Sequence, residues 1–418
     1  MYALIVLLIA LFAAPSQASE IGHASASVTS NQTTSSTTMT TVPGASIASG
    51  SFTVGHQYMI HVTGQFGHTA GDAAQVQLVH GSTPFTGSDQ WIYVSADTNR
   101  HNYQRTRVWT AVSSEAVEVQ FKSRLGGANV ASANFVQITV IDLNDLSASD
   151  WCYSELSTDD AMSTSFEDGA ACTFTPGTAS HNWLVLGDAY VDYAAQSTNY
   201  VTVRLTDGTN VLPQAQIDIP NTALDEIGIG LARVYTLAAS SQTFKIQYKV
   251  SASTTANHLH SAIFALDLNK FRNHAFAYTE AGTNLSATDY ATQIQTLSIT
   301  PDVQGDVWIG SYWSCDRNSS GNTCEQRIQV DNSDAPAGQT TANYQFRSGI
   351  DGTDEDPMPM STLVSSMTAA AHTIDLDGSI SATTSTPDAE ARTLWAVTME
   401  LAATSSTARG LMLLGVGR

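Results

Sequence analysis

The sequence predicts an all-β chain built as three tandem antiparallel β-sandwich modules. Three observations lead there: a closing motif that recurs, a matching order of strand-like segments before each recurrence, and a composition typical of exposed β-structure. The closing motif is Ser261-Ala-Ile-Phe-Ala-Leu-Asp-Leu-Asn269, with counterparts at Val136-Gln-Ile-Thr-Val-Ile-Asp-Leu-Asn144 and Thr393-Leu-Trp-Ala-Val-Thr-Met-Glu-Leu401. Its acid falls at Asp142, Asp267 and Glu400, 125 and then 133 residues apart. Thr53, Thr175 and Thr300 repeat at 122 and 125 residues, and Val119, Ile246 and Ile374 at 127 and 128. Independent markers that agree to within a loop insertion identify a repeated module.

Composition points the same way. The charged fraction is 13%, about half the ~25% of an ordinary globular chain, and Thr, Ser, Val and Gly fill the difference. Such sequence fits pleated, half-buried surfaces, whereas solvated helices need more Glu, Lys and Arg.

Each module holds about eight short strand candidates at 8–15-residue spacing, the mark of a sandwich. In the first, Tyr58, Ile60 and Val62 lie on one face of a strand and Gln57, Met59 and His61 on the other. Val76–Val79, Trp91–Val94, Arg107–Thr110 and Val117–Phe121 follow, and Phe135–Leu143 closes the module. The second replays this order through Trp183–Leu186, Tyr200–Leu205, Ile217–Ile219, Arg233–Leu237 and Thr243–Tyr248. The third runs through Leu297–Pro301, Val307–Ile309, Arg327–Val330, Tyr344–Phe346 and His372–Leu376. Long connections, and a closing strand far from the opening one, favour a jelly roll over an immunoglobulin-type sandwich. One helical turn is expected at most, over Pro220–Glu226. Ser25–Thr41, rich in Ser and Thr, reads either as a linker or as an edge strand.

The expected divisions are a signal peptide at 1–18, modules at 19–148, 149–272 and 273–403, and a tail at 404–418. The leader is read from the apolar run Leu4–Ala14, followed by Pro15 and the small-residue site Ser16-Gln17-Ala18. No Lys or Arg precedes it. The run is short for a membrane span, so the mature chain is expected to be secreted or held at the cell surface. The tail carries an apolar stretch from Leu411 to Val416.

A formal net charge of −21 repels nucleic-acid phosphates and anionic lipid, so neither is an expected partner. The four cysteines fall as local pairs, Cys152 with Cys172 and Cys315 with Cys324. Zinc sites place paired thiolates two to four residues apart, so disulfides in an oxidising compartment are the reading.

Candidate sites are few. His258-Leu-His260 places two imidazoles on one face of a strand, and solvent-facing histidines are preferred to a ligand pair because no carboxylate follows. Asp351, Asp354, Glu355 and Asp356 could converge oxygens on calcium, with a solvated loop as the simpler reading; no other cofactor is implied. Trp91, Trp109, Trp183, Trp308 and Trp395 sit where core packing is the default. Trp313, beside Cys315 and the Asn318-Ser-Ser-Gly321 loop, has the best claim to exposure and to stacking on a sugar. There is no Gly-x-Ser-x-Gly, His-Glu-x-x-His, phosphate-cradling Gly loop or dinucleotide fingerprint, so no enzymatic activity is expected. The closing acids Asp142, Asp267 and Glu400 read as strand-end caps.

The Phe174-Thr-Pro-Gly177 opening, the strand Gln242-Thr-Phe-Lys-Ile-Gln-Tyr248 and the close Ala265-Leu-Asp-Leu268 resemble the tandem jelly-roll modules of phage and bacterial virion, tail or surface proteins. The resemblance to the trimeric heads of the tumour-necrosis-factor family is more distant. It spans most of residues 45–403. It implies a structural or adhesive protein of the cell surface or a virion, acting through self-association or contact with other surface proteins. The alternatives are a carbohydrate-binding protein whose aromatic loops or calcium site contact glycans and, third in order, a hydrolase with a site between modules.

Overall fold

Among the described residues every regular element is a β-strand or a single 3₁₀ turn. The computed structural model describes residues 19–69, 72–94, 100–193, 200–211, 213–218, 226–252, 256–285, 290, 292–316, 324–335, 355–380 and 388–402. The expected leader, the tail, the helical turn at 220–226 except its last residue, the 318–321 loop and the strand at 344–346 lie outside them.

The first jelly roll comprises β1 (His23–Ser27), β2 (Gln32–Thr34), β3 (Thr40–Ile47), β4 (Gln57–His68), β5 (Asp72–His80), β6 (Thr83–Pro84), β7 (Gln90–Val94), β8 (Arg100–Thr110), β9 (Val117–Ser123) and β10 (Ala131–Asp142). The second has β11 (Trp151–Ala161), β12 (Glu167–Phe174), β13 (His181–Tyr193), β14 (Tyr200–Thr206), β15 (Gln214–Asp218), β16 (Glu226–Leu237), β17 (Gln242–Val250) and β18 (Ala256–Asp267). The third has β19 (His274–Thr279), β20 (Thr283–Asn284), β21 (Thr292–Ile299), β22 (Gly305–Asp316), β23 (Cys324–Val330), β24 (Ser333–Asp334), β25 (Glu355–Pro357), β26 (Met360–Met367), β27 (His372–Ile380) and β28 (Asp388–Thr398). The Ser/Thr-rich stretch after residue 24 is edge structure, with β1 and β2 both paired to β10.

Sheet order is the same in all three. One sheet runs β1-β10-β4-β8, repeated as β11-β18-β13-β16 and as β19-β28-β22 with β26 beyond. The facing sheet runs β3-β9-β5, repeated as β12-β17-β14-β15 and β21-β27-β23-β24. First strand beside last, and third beside both last and sixth, is jelly-roll connectivity. Cys152 joins β11 to Cys172 on β12, and Cys315 joins β22 to Cys324 on β23. Each disulfide therefore ties the two sheets of one sandwich together.

The facing sheets obey the expected alternation. Val117–Ser123 alternates buried and half-buried along its length, as does Phe244–Val250, because one side meets the core and the other meets solvent. The strands of the first set behave differently. Residues 58–68 of β4 are all buried, as are residues 133–142 of β10. Tyr58, Ile60 and Val62 fill the first sandwich, while Met59 and Ile141 on the opposite face join the core of the second. Neighbouring jelly rolls thus cover the second face of these strands. Trp308, Trp395 and Met399 of the third reach the same apolar cluster.

All three jelly rolls touch one another. β8 packs on β13, β16 and β18, and β26 packs on β4 and β10. The second and third share a ten-stranded sheet through β25, where Gln216 pairs with Glu355. The chain also closes on itself: Glu20 bridges Glu400, and Ile21 N donates to the Met399 carbonyl at 2.8 Å.

Asp142 and Asp267 cap the closing strands as expected. Each accepts from the backbone N–H two residues on, at 3.0 Å, and each accepts from a histidine Nδ1 (His56 and His181) at 2.7 Å. Asn144 and Asn269 complete the device, each accepting a backbone N–H at 2.6 Å. Here the repeat conserves geometry as well as pattern between the first two jelly rolls.

Candidate functional site

The polar centre of the molecule lies where the edge strand β8 meets the second jelly roll. An unpaired sheet edge presents a row of backbone donors and acceptors that must be covered. Asp188 on β13 covers part of this one: its Oδ2 accepts from Thr106 N at 3.1 Å and from Arg107 Nη1 at 3.0 Å. Gln104 Nε2 reaches the carbonyls of Gly187 and Leu231 at 3.2 and 3.3 Å. Close approach needs small residues opposite, and β16 supplies Gly228 and Gly230. A Cβ at Gly230 would lie 2.5 Å from Gln104 Cβ, and one at Gly228 would lie 2.2 Å from Gln90 Oε1.

Arg105 and Arg107 are fully buried, and their remaining donors hold the connection between β6 and β7. Arg107 donates to the carbonyls of Thr86 and Gly87 at 3.1 and 2.9 Å, and Arg105 donates to Gly87 at 3.2 Å. Gly87 has φ of +58°, and a Cβ there would lie 2.1 Å from His260 Cγ. This position accepts only glycine.

The clamped loop roofs a cleft of about 400 Å³ over the end of the second jelly roll, lined by Asp89, Ser157, Asp159, Tyr190, Glu226 and His260. Two register shifts shape the floor. One falls between Ser157 and Asp160 on β11, the other between Tyr190 and Val191 where β13 meets β18. Bulges of this kind re-aim side chains beside functional sites. Glu226 accepts from Tyr190 Oη and, at 3.1 Å, from Trp91 N. Burial pushes the Glu226 carboxyl above the ordinary carboxylate range and the Tyr190 phenol above the ordinary phenol range.

The histidine pair is placed differently from expectation. His258 and His260 are 0% and 1% exposed, so the solvent-facing reading is corrected: neighbouring elements cover the start of β18. His258 stacks on Tyr248 with ring centroids 4.1 Å apart, and burial lowers its pKa to about 4. His260 receives Arg107 Nη2 on Nδ1 at 3.3 Å, and burial holds its pKa below the ordinary imidazole value.

Trp313 is also a correction. It is 0% exposed and its indole N–H donates to Gln326 Oε1 at 2.8 Å. It packs in the core of the third jelly roll, so the expected exposure is not found. Among the acids considered for calcium, Asp351 and Asp354 lie outside the described residues. Glu355 and Asp356 begin β25, where their backbones pair with Asp316 and Cys315. Among the described residues no group of three His, Cys, Asp or Glu is arranged to hold a metal ion, and no helix is long and apolar enough to cross a membrane.

Sequence reading missed Asp188, Arg105, Arg107, Tyr190 and Glu226. Two cations in Arg105-Thr-Arg107, within a chain of only 17 Lys and Arg, and the alternating glycines Gly228-Ile-Gly230 were the available signals.

No protein-family model and no curated protein matches the sequence. Among solved structures, the chain is similar to PNGase F, a glycosylasparaginase from Flavobacterium meningosepticum. That match has a TM-score of 0.31 and 9% identity over 59% of this chain and 96% of that one. It is similar to a triple jelly-roll protein of turret assembly in an archaeal virus, with TM-score 0.20 and 10% identity over 88% and 91% of the two chains. It is similar also to the C-terminal CBM6 of LamC from Zobellia galactanivorans, with TM-score 0.16 and 14% identity over 27% and 98%.

Proposed function

We propose that this chain is a non-enzymatic structural or adhesive protein acting outside the cytoplasm, a single-chain block of three jelly rolls that works through assembly or surface contact. The observation that carries the reading is the packing of all three against one another. Met59 and Ile141, the core of the second jelly roll, and Trp308, Trp395 and Met399 form one apolar cluster. Interfaces between domains that move freely are smaller and more polar. A block fastened in this way transmits force and presents its outer sheets at fixed angles, which suits a building unit. The two disulfides support an oxidising location.

Size-exclusion chromatography with light scattering, followed by electron microscopy, tests the reading. Rings, fibres or a defined oligomer are expected, and a monomer at every concentration overturns it. Repeating the measurement with calcium and with EDTA tests whether the acids Asp351, Asp354, Glu355 and Asp356 contribute a calcium-dependent contact.

A further inference from the structure

We infer that the outward sheet face of the second jelly roll docks on the acidic corner where another copy of this chain closes, joining copies head to tail. β17 sends Phe244, Ile246, Tyr248 and Val250 into the core and leaves Lys245, Gln247 and Lys249 outside. Arg204 on β14 lies opposite Gln247 and donates from Nε to its Oε1 at 2.9 Å. Three cations therefore share one face, and two of them are among the four lysines of the chain. The outward carboxylate beside them on β12 is Asp168, which pairs with Lys245. Phe166 orders the other two: Arg204 Cζ stands 3.5 Å and Lys249 Nζ 4.7 Å from its ring centre. Cations held by stacking lose little freedom on binding.

The fold does not require these charges. By the repeat that aligns Val119, Ile246 and Ile374, the same three outward positions carry Glu118, Gln120 and Lys122 in the first jelly roll and Thr373, Asp375 and Asp377 in the third. The set is basic in the second, balanced in the first and acidic in the third. Strand geometry is shared by all three, so the basic face belongs to the surface of the second repeat and not to its folding.

A chain of net charge −21 repels its own copies on average, and approach is favourable where the sign reverses locally. The counterpart lies where the chain closes. Glu20, which bridges Glu400, is 65% exposed and Asp302 is 54% exposed. Asp145, which accepts Gly22 N at 2.7 Å, is exposed as well, and Asp306 joins them through His23 at 3.1 Å. Lys270 and Arg272 answer Asp150 and Asp302, which leaves the corner with an excess of acid. Face and corner belong to different jelly rolls, so the contact is heterologous and repeats from copy to copy into a ring or a fibre. Docking of this kind presupposes the assembly reading and gives it a direction.

The test is light scattering of the full chain after size-exclusion chromatography, as ionic strength rises from about 0.1 to about 1 M and the screening length falls from ~10 to ~3 Å. Oligomers are expected to dissociate across that range. The double variant Lys245→Glu, Lys249→Glu and the double variant Glu20→Lys, Asp302→Lys should each raise the dissociation constant about tenfold or more. Melting temperatures should stay near wild type, because all four side chains lie outside the cores. Mixing the two variants pairs each face with a corner of opposite sign and should recover the oligomer. Oligomers that persist at high salt and in both variants overturn the docking contact and leave the assembly reading standing, as does a mixture of folded variants that fails to recover. Salt titration of the wild type decides even where a variant fails to fold. A wild-type monomer at every concentration removes both readings, including one that instead retains an anionic polysaccharide such as alginate on the basic face.

Discussion

Asp188 and Arg107 come from different jelly rolls and meet with both carboxylate oxygens at 3.0 and 3.1 Å from Nη1, each side chain essentially free of solvent. A buried pair adds little over well-packed apolar residues, but removing one member strands the other. Asp188→Ala leaves the Arg107 charge uncompensated and Thr106 N without its acceptor. The expected cost is about 3–5 kcal/mol, read as a lower urea midpoint. A change below about 1 kcal/mol would show that the carbonyls of Thr86, Thr106 and Gly87 alone satisfy Arg107.

His61 gives the fold an acid sensitivity. It is fully buried between Thr106, which meets its Nδ1 at 2.9 Å, and Trp308, whose ring lies 5.6 Å away. Burial lowers its pKa to about 4 from an ordinary 6.5. The folded state therefore stays neutral where the unfolded chain takes up a proton. Stability is complete above about pH 6.5 and is lost as pH falls toward 4, by roughly 3 kcal/mol for one group. His258 acts in the same direction, while the raised carboxyl of Glu226 acts in the opposite one. Unfolding free energy measured from pH 7 to 4 should fall, and a His61→Asn variant should show a shallower slope. An equal slope in the variant would remove His61 as a cause.

The disulfides tie sheets rather than neighbouring turns. Cys152 and Cys172 are 20 residues apart, and Cys315 and Cys324 are 9 apart. Loop-closure entropy assigns about 3 kcal/mol to the longer and slightly less to the shorter. A Cys152→Ala, Cys172→Ala double variant should melt earlier than wild type under oxidising conditions and match it more closely under reducing ones. Equal melting in both conditions would mean that the sheets stay together without the bond.

Strand periodicity was legible wherever one face meets water, as in Val117–Ser123, and so was the triple repeat of the closing motif. The local cysteine pairs and the caps at Asp142 and Asp267 could also be read, since they depend on neighbours a turn or a repeat away. What escaped was whatever depends on one jelly roll covering another. Met59, His61 and His260 occupy positions that a lone sandwich would leave near solvent, and a single sequence does not reveal which second faces are shared; Trp313 and His258 are instead buried inside their own sandwiches. The cleft escaped for the same reason: Asp89 comes from the first repeat, and Asp159, Tyr190, Glu226 and His260 come from the second.

Gly230 offers the sharpest test of how the first two jelly rolls are joined. Its φ is ordinary, so strain is not the reason for glycine; space is. A methyl group there would meet Gln104 at 2.5 Å from its Cβ and 2.6 Å from its Cδ. The first of these atoms is fixed to the β8 backbone and has no rotamer to escape into. Gly230→Ala must therefore lift β8 off β16, lengthening the bonds from Gln104 Nε2 to Gly187 and Leu231 and opening the seam beside Asp188. The expected cost is about 1–3 kcal/mol, with faster hydrogen exchange at Thr106 N and along β8. Gly177 is the control: a methyl group there would have no neighbouring atom within 4 Å, and Gly177→Ala should leave both stability and exchange unchanged. If Gly230→Ala behaves like that control, the two sheets are not held as closely as the glycine positions imply.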